Sequence, residues 1–134
     1  MSPERCPVLW IGPTAVVTLP AEIDITNADQ IREDLLSVLN QGAVLLIADL
    51  SATTFCDSAG VGALAHTFRR ADASQSEMRL VITTTAVRRV LTLTGIDRLL
   101  DLYPSVTAAL AGRPDQDGSP GNVMARADTD GGAA

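Results

Sequence analysis

The sequence predicts an α/β domain, a small mixed β-sheet of four to five strands flanked by about four helices, followed by a disordered tail. Three observations carry this. Val44, Leu45, Leu46, Ile47 and Ala48 form an unbroken apolar run ending at Asp49, which predicts a strand buried on both faces. Val61, Leu64, Ala65 and Phe68 then fall at i, i+3, i+4 and i+7, the spacing that paints one face of a helix. Strands and helices alternate in this way down the chain, behind a leading hairpin that makes the sheet mixed rather than wholly parallel.

Val8 to Ile11 and Ala15 to Leu19 predict the two strands of that hairpin, joined at the turn Gly12-Pro13. Ala21-Glu22-Ile23-Asp24 leads out of the second strand, and Thr26 with Asp29 makes a capping pair for the first long helix. Ala28, Ile31, Leu35, Val38 and Leu39 mark its inward face and Asn40 to Gly42 its end; Arg32, Glu33 and Asp34 are expected to face water. After the central strand, a turn leads to a helix whose first residues include Ser58. Arg69 to Glu77 is expected to be helix end and polar linker, and Leu80 to Ile82 a short buried strand. Thr83 to Thr85 cap a third helix with Val87, Val90 and Leu91 inward, which Gly95 ends in a left-handed turn. Leu93 and Ile96 fall off that stripe and are assigned to the core edge rather than to a contact patch. Leu99 to Tyr103 predicts the last strand, and Ser105 to Ala111 a last helix started by Pro104 or Ser105.

The domain is therefore set at residues 1–111. From Gly112 to Ala134 the chain turns to Gly, Pro and acids with almost no aliphatics, too little apolar surface to offset its ordering entropy. This tail holds Asp115, Asp117, Asp128 and Asp130 against Arg113 and Arg126, a net −2 that leaves −4 of the chain's −6 on the domain.

Composition excludes several functions. The 134 residues suit one domain, and with 46% hydrophobic but only 3% aromatic residues its core must be aliphatic. A net charge of −6 disfavours a nucleic-acid partner. All ten basic residues are Arg; without Lys there is neither a P-loop nor a Schiff-base mechanism. No secretory signal and no membrane-length apolar run is present, which predicts a cytoplasmic protein away from membranes. There Cys6 and Cys56 are expected as free thiols and both stand as candidate redox groups, Cys56 as a small buried residue or, one residue from Asp57-Ser58, as a redox influence on the site. The sole histidine, His66, lies eight residues from Ser58 on one helix, about 12 Å of rise, so the two cannot form a nucleophile and base. One His and two distant Cys do not make a metal site.

Ser58 stands at a helix start, where first-turn amides lack partners, so its hydroxyl can cap them or a phosphate can be accommodated there. The stretch Asp49-Leu50-Ser51, Phe55, Asp57-Ser58-Ala59-Gly60-Val61-Gly62, with the upstream Glu22-Ile23-Asp24, resembles the signature of the STAS family, in particular its bacterial anti-sigma factor antagonists. The resemblance spans roughly Val8 to Leu110 and departs at Ala21, where the family usually has Gly. It implies a STAS-like sheet with the switch serine at the start of the second helix. Ser58 would be the phosphoacceptor, Asp57 would orient it, and Asp24 would reach its hydroxyl or the partner. Ala59, Gly60, Gly62 and Ala63 would form a low helix surface that another backbone can approach, although close internal packing is an equal role for Gly62.

The same resemblance implies the partner, an anti-sigma factor with a kinase-like ATPase fold that phosphorylates the serine and releases its antagonist, with a phosphatase to reset the switch. This chain would be a monomer or weak dimer, neither an enzyme nor dependent on a cofactor. Two alternatives stand beside it. A phosphoaspartate receiver would want an acidic pair after the first strand and a late Lys, and both are missing. A non-switching STAS docking subunit of a stress-signalling or lipid-transport assembly would use the helix bearing Ser58 only as a surface.

Overall fold

The computed structural model describes residues 5–112. In chain order the strands are β1 (Val8–Ile11), β2 (Thr14–Thr18), β3 (Glu22–Ile23), β4 (Leu45–Leu50), β5 (Phe55–Cys56), β6 (Glu77–Ile82) and β7 (Asp101–Tyr103). The helices are α1 (Ala28–Asn40), α2 (Ser58–Ala73), α3 (Thr85–Thr94) and α4 (Val106–Ala111), with a 3-10 turn at Ile96–Arg98. Five strands form one sheet in the order β1-β2-β4-β6-β7, antiparallel only at the β1–β2 hairpin. The sheet is thus mixed for the reason read from Gly12-Pro13.

Alternate residues of the central strands feed two cores, as a two-residue repeat requires. On one face Val17, Leu46, Ala48, Leu80 and Ile82 meet Ile31, Leu35 and Val38 of α1, Val61 and Leu64 of α2, and Val87 and Leu91 of α3. On the other, Val16, Ile47, Val81 and Tyr103 meet Ala108 and Ala109 of α4. Gly95 ends α3 at φ +83°, the left-handed conformation that only a residue without Cβ adopts freely. Ile96 is buried at the core edge as expected, whereas Leu93 is exposed.

Several expectations are corrected. Asp34 does not face water: it is 4% exposed, and its carboxylate accepts from the Arg5 guanidinium, the Cys6 amide (2.9 Å) and Gln30 Nε2 (2.9 Å). Burial alone would raise this carboxyl, but the Cys6, Arg5 and Gln30 donors and the Arg5 charge outweigh it and hold it below the usual carboxylate range. The cluster pins the segment before β1 onto α1. The N-cap of α1 is Asn27, not Thr26. Helix α2 runs to Ala73 and β6 already begins at Glu77, so less of 69–77 is linker than the polarity of those residues implied. Val44 is exposed, and the central strand extends to Leu50 instead of stopping at Asp49. Glu22–Ile23 and Phe55–Cys56, read as connections, pair as a separate two-stranded sheet. The expected tail, apart from Gly112, lies outside the described residues; Gly112 itself closes α4 as its left-handed C-cap.

Candidate functional site

Strands β2 and β4 are parallel neighbours, and each chain continues past its end into half of the small second sheet. Glu22 pairs with Phe55 and Ile23 with Cys56, and the Asp57 amide donates to the Ile23 carbonyl at 3.1 Å. Two sequence motifs 33 residues apart therefore emerge side by side beyond the strand C-termini, where open α/β sheets place their functional groups. Asp24 and Asp57 are the residues that follow the paired positions.

Asp57 has extended backbone (φ −95°, ψ −172°), and its Oδ1 accepts from the amides of Ala59 (2.9 Å) and Gly60 (3.1 Å). The cap of α2 is thus Asp57, which frees Ser58 from the capping role. Ser58 is the first helical residue, exposed, and among the described residues its hydroxyl makes no hydrogen bond. The hydroxyl sits at the positive end of a 16-residue helix, and among the described residues no side chain hydrogen-bonds it to act as its base. Such a group is a poor nucleophile on its own and a ready acceptor for a group delivered by another protein's active site.

Asp24 does not hydrogen-bond the Ser58 hydroxyl. Its Oδ1 accepts from the Thr26 hydroxyl and the Thr26 amide (2.9 Å), and these bonds, the hydroxyl's first, hold the carboxyl below its usual range. Asn27, which sequence reasoning passed over, fastens this turn: its Oδ1 accepts from the Asp24 amide at 2.9 Å and its Nδ2 donates to the Glu22 carbonyl at 2.8 Å. The available signal was the Asp-x-x-Asn spacing at a helix start. Two exposed apolar side chains flank the site: Phe55 of the quoted signature at 51% and Ile25, which sequence reasoning passed over, at 79% exposure.

The small residues of α2 divide. A Cβ on Gly60 would lie 2.6 Å from Cys56 Sγ and 2.6 Å from Ile23 Cγ2, so this glycine packs beneath the β3–β5 pair and presents no surface to a partner. Ala63 is likewise buried, against the sheet side of the helix. Gly62 is exposed with nothing within 4 Å of its would-be Cβ, and Ala59 is half-exposed; these two lie on the open surface beside Ser58.

Cys56 is buried, its thiol pushed up to about 11 by burial and the Asp57 charge. Cys6 is half-buried and pushed up to about 12 by burial, the Asp34 charge and a hydrogen bond with Asp34. Both thiols stay protonated near neutrality, the unreactive form. His66 is exposed. No group of three metal-ligating side chains occurs among the described residues, and no helix among them is long and apolar enough to cross a membrane.

Residues 9–109 match the family model of the STAS domain. The chain is 31% identical over 98 residues to the anti-sigma-F factor antagonist RsfB of Mycobacterium tuberculosis, covering 73% of this chain and 80% of that one. It is 29% identical over 86 residues to the anti-sigma-B factor antagonist of Bacillus subtilis, 64% of this chain and 78% of that one. The crystal structure of an anti-sigma factor antagonist from Mycobacterium paratuberculosis superposes with a TM-score of 0.75 at 30% identity, over 82% of this chain and 93% of that chain.

Proposed function

The chain belongs to the STAS domain family, and from that premise we propose that it is an anti-sigma factor antagonist switched by phosphorylation of Ser58. Unmodified, it binds an anti-sigma factor and frees a sigma factor for transcription. The anti-sigma factor's kinase activity transfers a phosphate to Ser58 and ends the complex, and a phosphatase restores it. The chain is the substrate of these enzymes and acts in the cytoplasm.

The observation that carries this reading is the exposed Ser58 hydroxyl, released from capping by Asp57 and free of hydrogen bonds among the described residues. A phosphate there adds about −1.5 to −2 charges at neutral pH. Within the domain the effects nearly offset: the helix end favours the charge by about 0.3–1 kcal/mol, while the neighbouring carboxylate of Asp57 opposes it. The fold persists and the surface changes. Against a docked protein, an unpaired dianion costs several kcal/mol, which is orders of magnitude in affinity.

The test uses the chain with its anti-sigma factor and ATP. Mass spectrometry should find one phosphate, absent in Ser58→Ala, and Ser58→Asp should bind the anti-sigma factor at least ~10-fold more weakly with its melting temperature nearly unchanged. A collapse of the melt in Ser58→Asp would make the residue structural. No phosphate, with capture undiminished by Ser58→Glu, would leave a docking surface without a switch.

A further inference from the structure

The outer edge of β1 is unlike any other part of the surface. β1 is the terminal strand of the sheet, and Val8, Leu9, Trp10 and Ile11 are 40%, 60%, 39% and 45% exposed. It pairs with β2 residue for residue, without a bulge, and holds neither a charge nor a proline. Those are the devices that normally keep a sheet edge from pairing with another chain. The opposite edge, β7, is only three residues long and begins with the charge of Asp101. From Cys6 to Ala21 no residue is charged, in a chain with a net charge of −6.

The phase of the hydrogen bonds decides what this edge can accept. The Thr18 amide donates to the Pro7 carbonyl at 3.0 Å, so Pro7, Leu9 and Ile11 turn their backbone groups toward β2. By alternation Val8 and Trp10 turn theirs outward. We propose that a second copy of this chain pairs with that edge, antiparallel, with Val8 of each copy opposite Trp10 of the other and Leu9 on the two-fold axis. In this register both outward residues exchange both bonds twice over, giving four backbone hydrogen bonds, and side chains facing each other stand on the same side of the joined sheet. A register centred on Trp10 would form only two such bonds within the strand. The uncharged hairpin favours self-pairing: it offers nothing to select a charged peptide, and, as the longest uncharged stretch of the chain, it lets two acidic molecules meet without repulsion.

The strand is short, well below a standard interface of about 800 Å² per partner, so the dimer is weak, with a dissociation constant on the order of tens of micromolar. Ser58 follows β5 beyond the end of β4, two strands in from β1, and both copies keep it free.

Sedimentation equilibrium of the full chain from about 5 to 500 µM tests this around the expected constant. The mass should rise from the monomer's 14.0 kDa toward twice that value, and emission from Trp10, the only tryptophan, should shift to shorter wavelength with concentration. Leu9→Lys should remain monomeric throughout with an unchanged melting temperature, since Leu9 is already 60% exposed. Under a mild oxidant Leu9→Cys should form an intermolecular disulfide across the axis, well ahead of Ile11→Cys, which would face Pro7. A full chain that stays monomeric at the highest concentration would overturn the proposal, whether the edge is bare or covered by the remainder of the chain. So would a dimer that survives Leu9→Lys, or equal crosslinking by the two cysteine variants.

Discussion

Two glycines two positions apart on α2 have opposite roles. Because a Cβ at Gly60 would press within 2.6 Å of both Cys56 and Ile23, Gly60→Ala should cost about 1–3 kcal/mol as overpacking, read in a denaturant melt. Gly62→Ala meets nothing. It should gain about 0.5–1 kcal/mol of helix stability while weakening capture of the anti-sigma factor, because its methyl stands on the open surface beside Ser58. Asp34 gives a pH dependence. Its folded carboxyl lies below its unfolded value, so its contribution is complete above the unfolded pKa near 4 and is lost as pH falls through the folded one. Asp34→Asn should therefore melt below the wild type at pH 7, and the gap should close on acidification below about pH 4. The spacing carried a warning, since Asp34 is three residues after Ile31 and four before Val38 on the inward stripe, but charge placed it on the wet face of α1. Its partners, Arg5 and the Cys6 amide, are 29 and 28 residues away along the chain.

At the scale of elements, what periodicity could reveal was long and aliphatic. The β4 run and the stripes of α1, α2 and α3 each repeat over enough residues to fix their type, and Gly12-Pro13 and Gly95 punctuate them. The β3–β5 pair is two residues per strand, stabilised by a partner 33 positions away, so neither half has a local pattern to read. The caps of α3 and α4 fell where expected, at Thr84, Gly95 and Ser105, but the N-caps of α1 and α2 did not. Ser, Thr, Asp and Asn all suit the position, and at both α1 and α2 it was tertiary placement that chose Asn27 and Asp57 over Thr26 and Ser58. The motif resemblance grouped Ala59, Gly60, Gly62 and Ala63 as one low surface, whereas Gly60 and Ala63 are buried and only Ala59 and Gly62 lie open. Asn27 also ties Asp24 to Glu22. Asn27→Ala should lower stability by about 1–2 kcal/mol and slow phosphorylation of Ser58 more than the melt alone would explain, measured with the same anti-sigma factor and ATP.

For the molecule as a whole, the two cores close between Arg5, which the Asp34 pair fastens to α1, and Gly112, which terminates α4. Removing residues 113–134 should leave a single cooperative melt with its midpoint little changed, and loss of cooperativity would move the domain boundary into the tail. The cut belongs after Gly112 rather than before it, so that the helix keeps its cap. Ser58 stands at the exposed start of α2, beside the β3–β5 pair, whose two strands are joined to each other by only two residue pairs. That pair is held by fewer backbone bonds than the five-stranded sheet, so this is where the surface beside Ser58 yields at least cost. Under the proposed switch, local yielding there would fit Ser58 to the modifying enzyme without unfolding the domain, so modification and its reversal would leave the packed sheet intact.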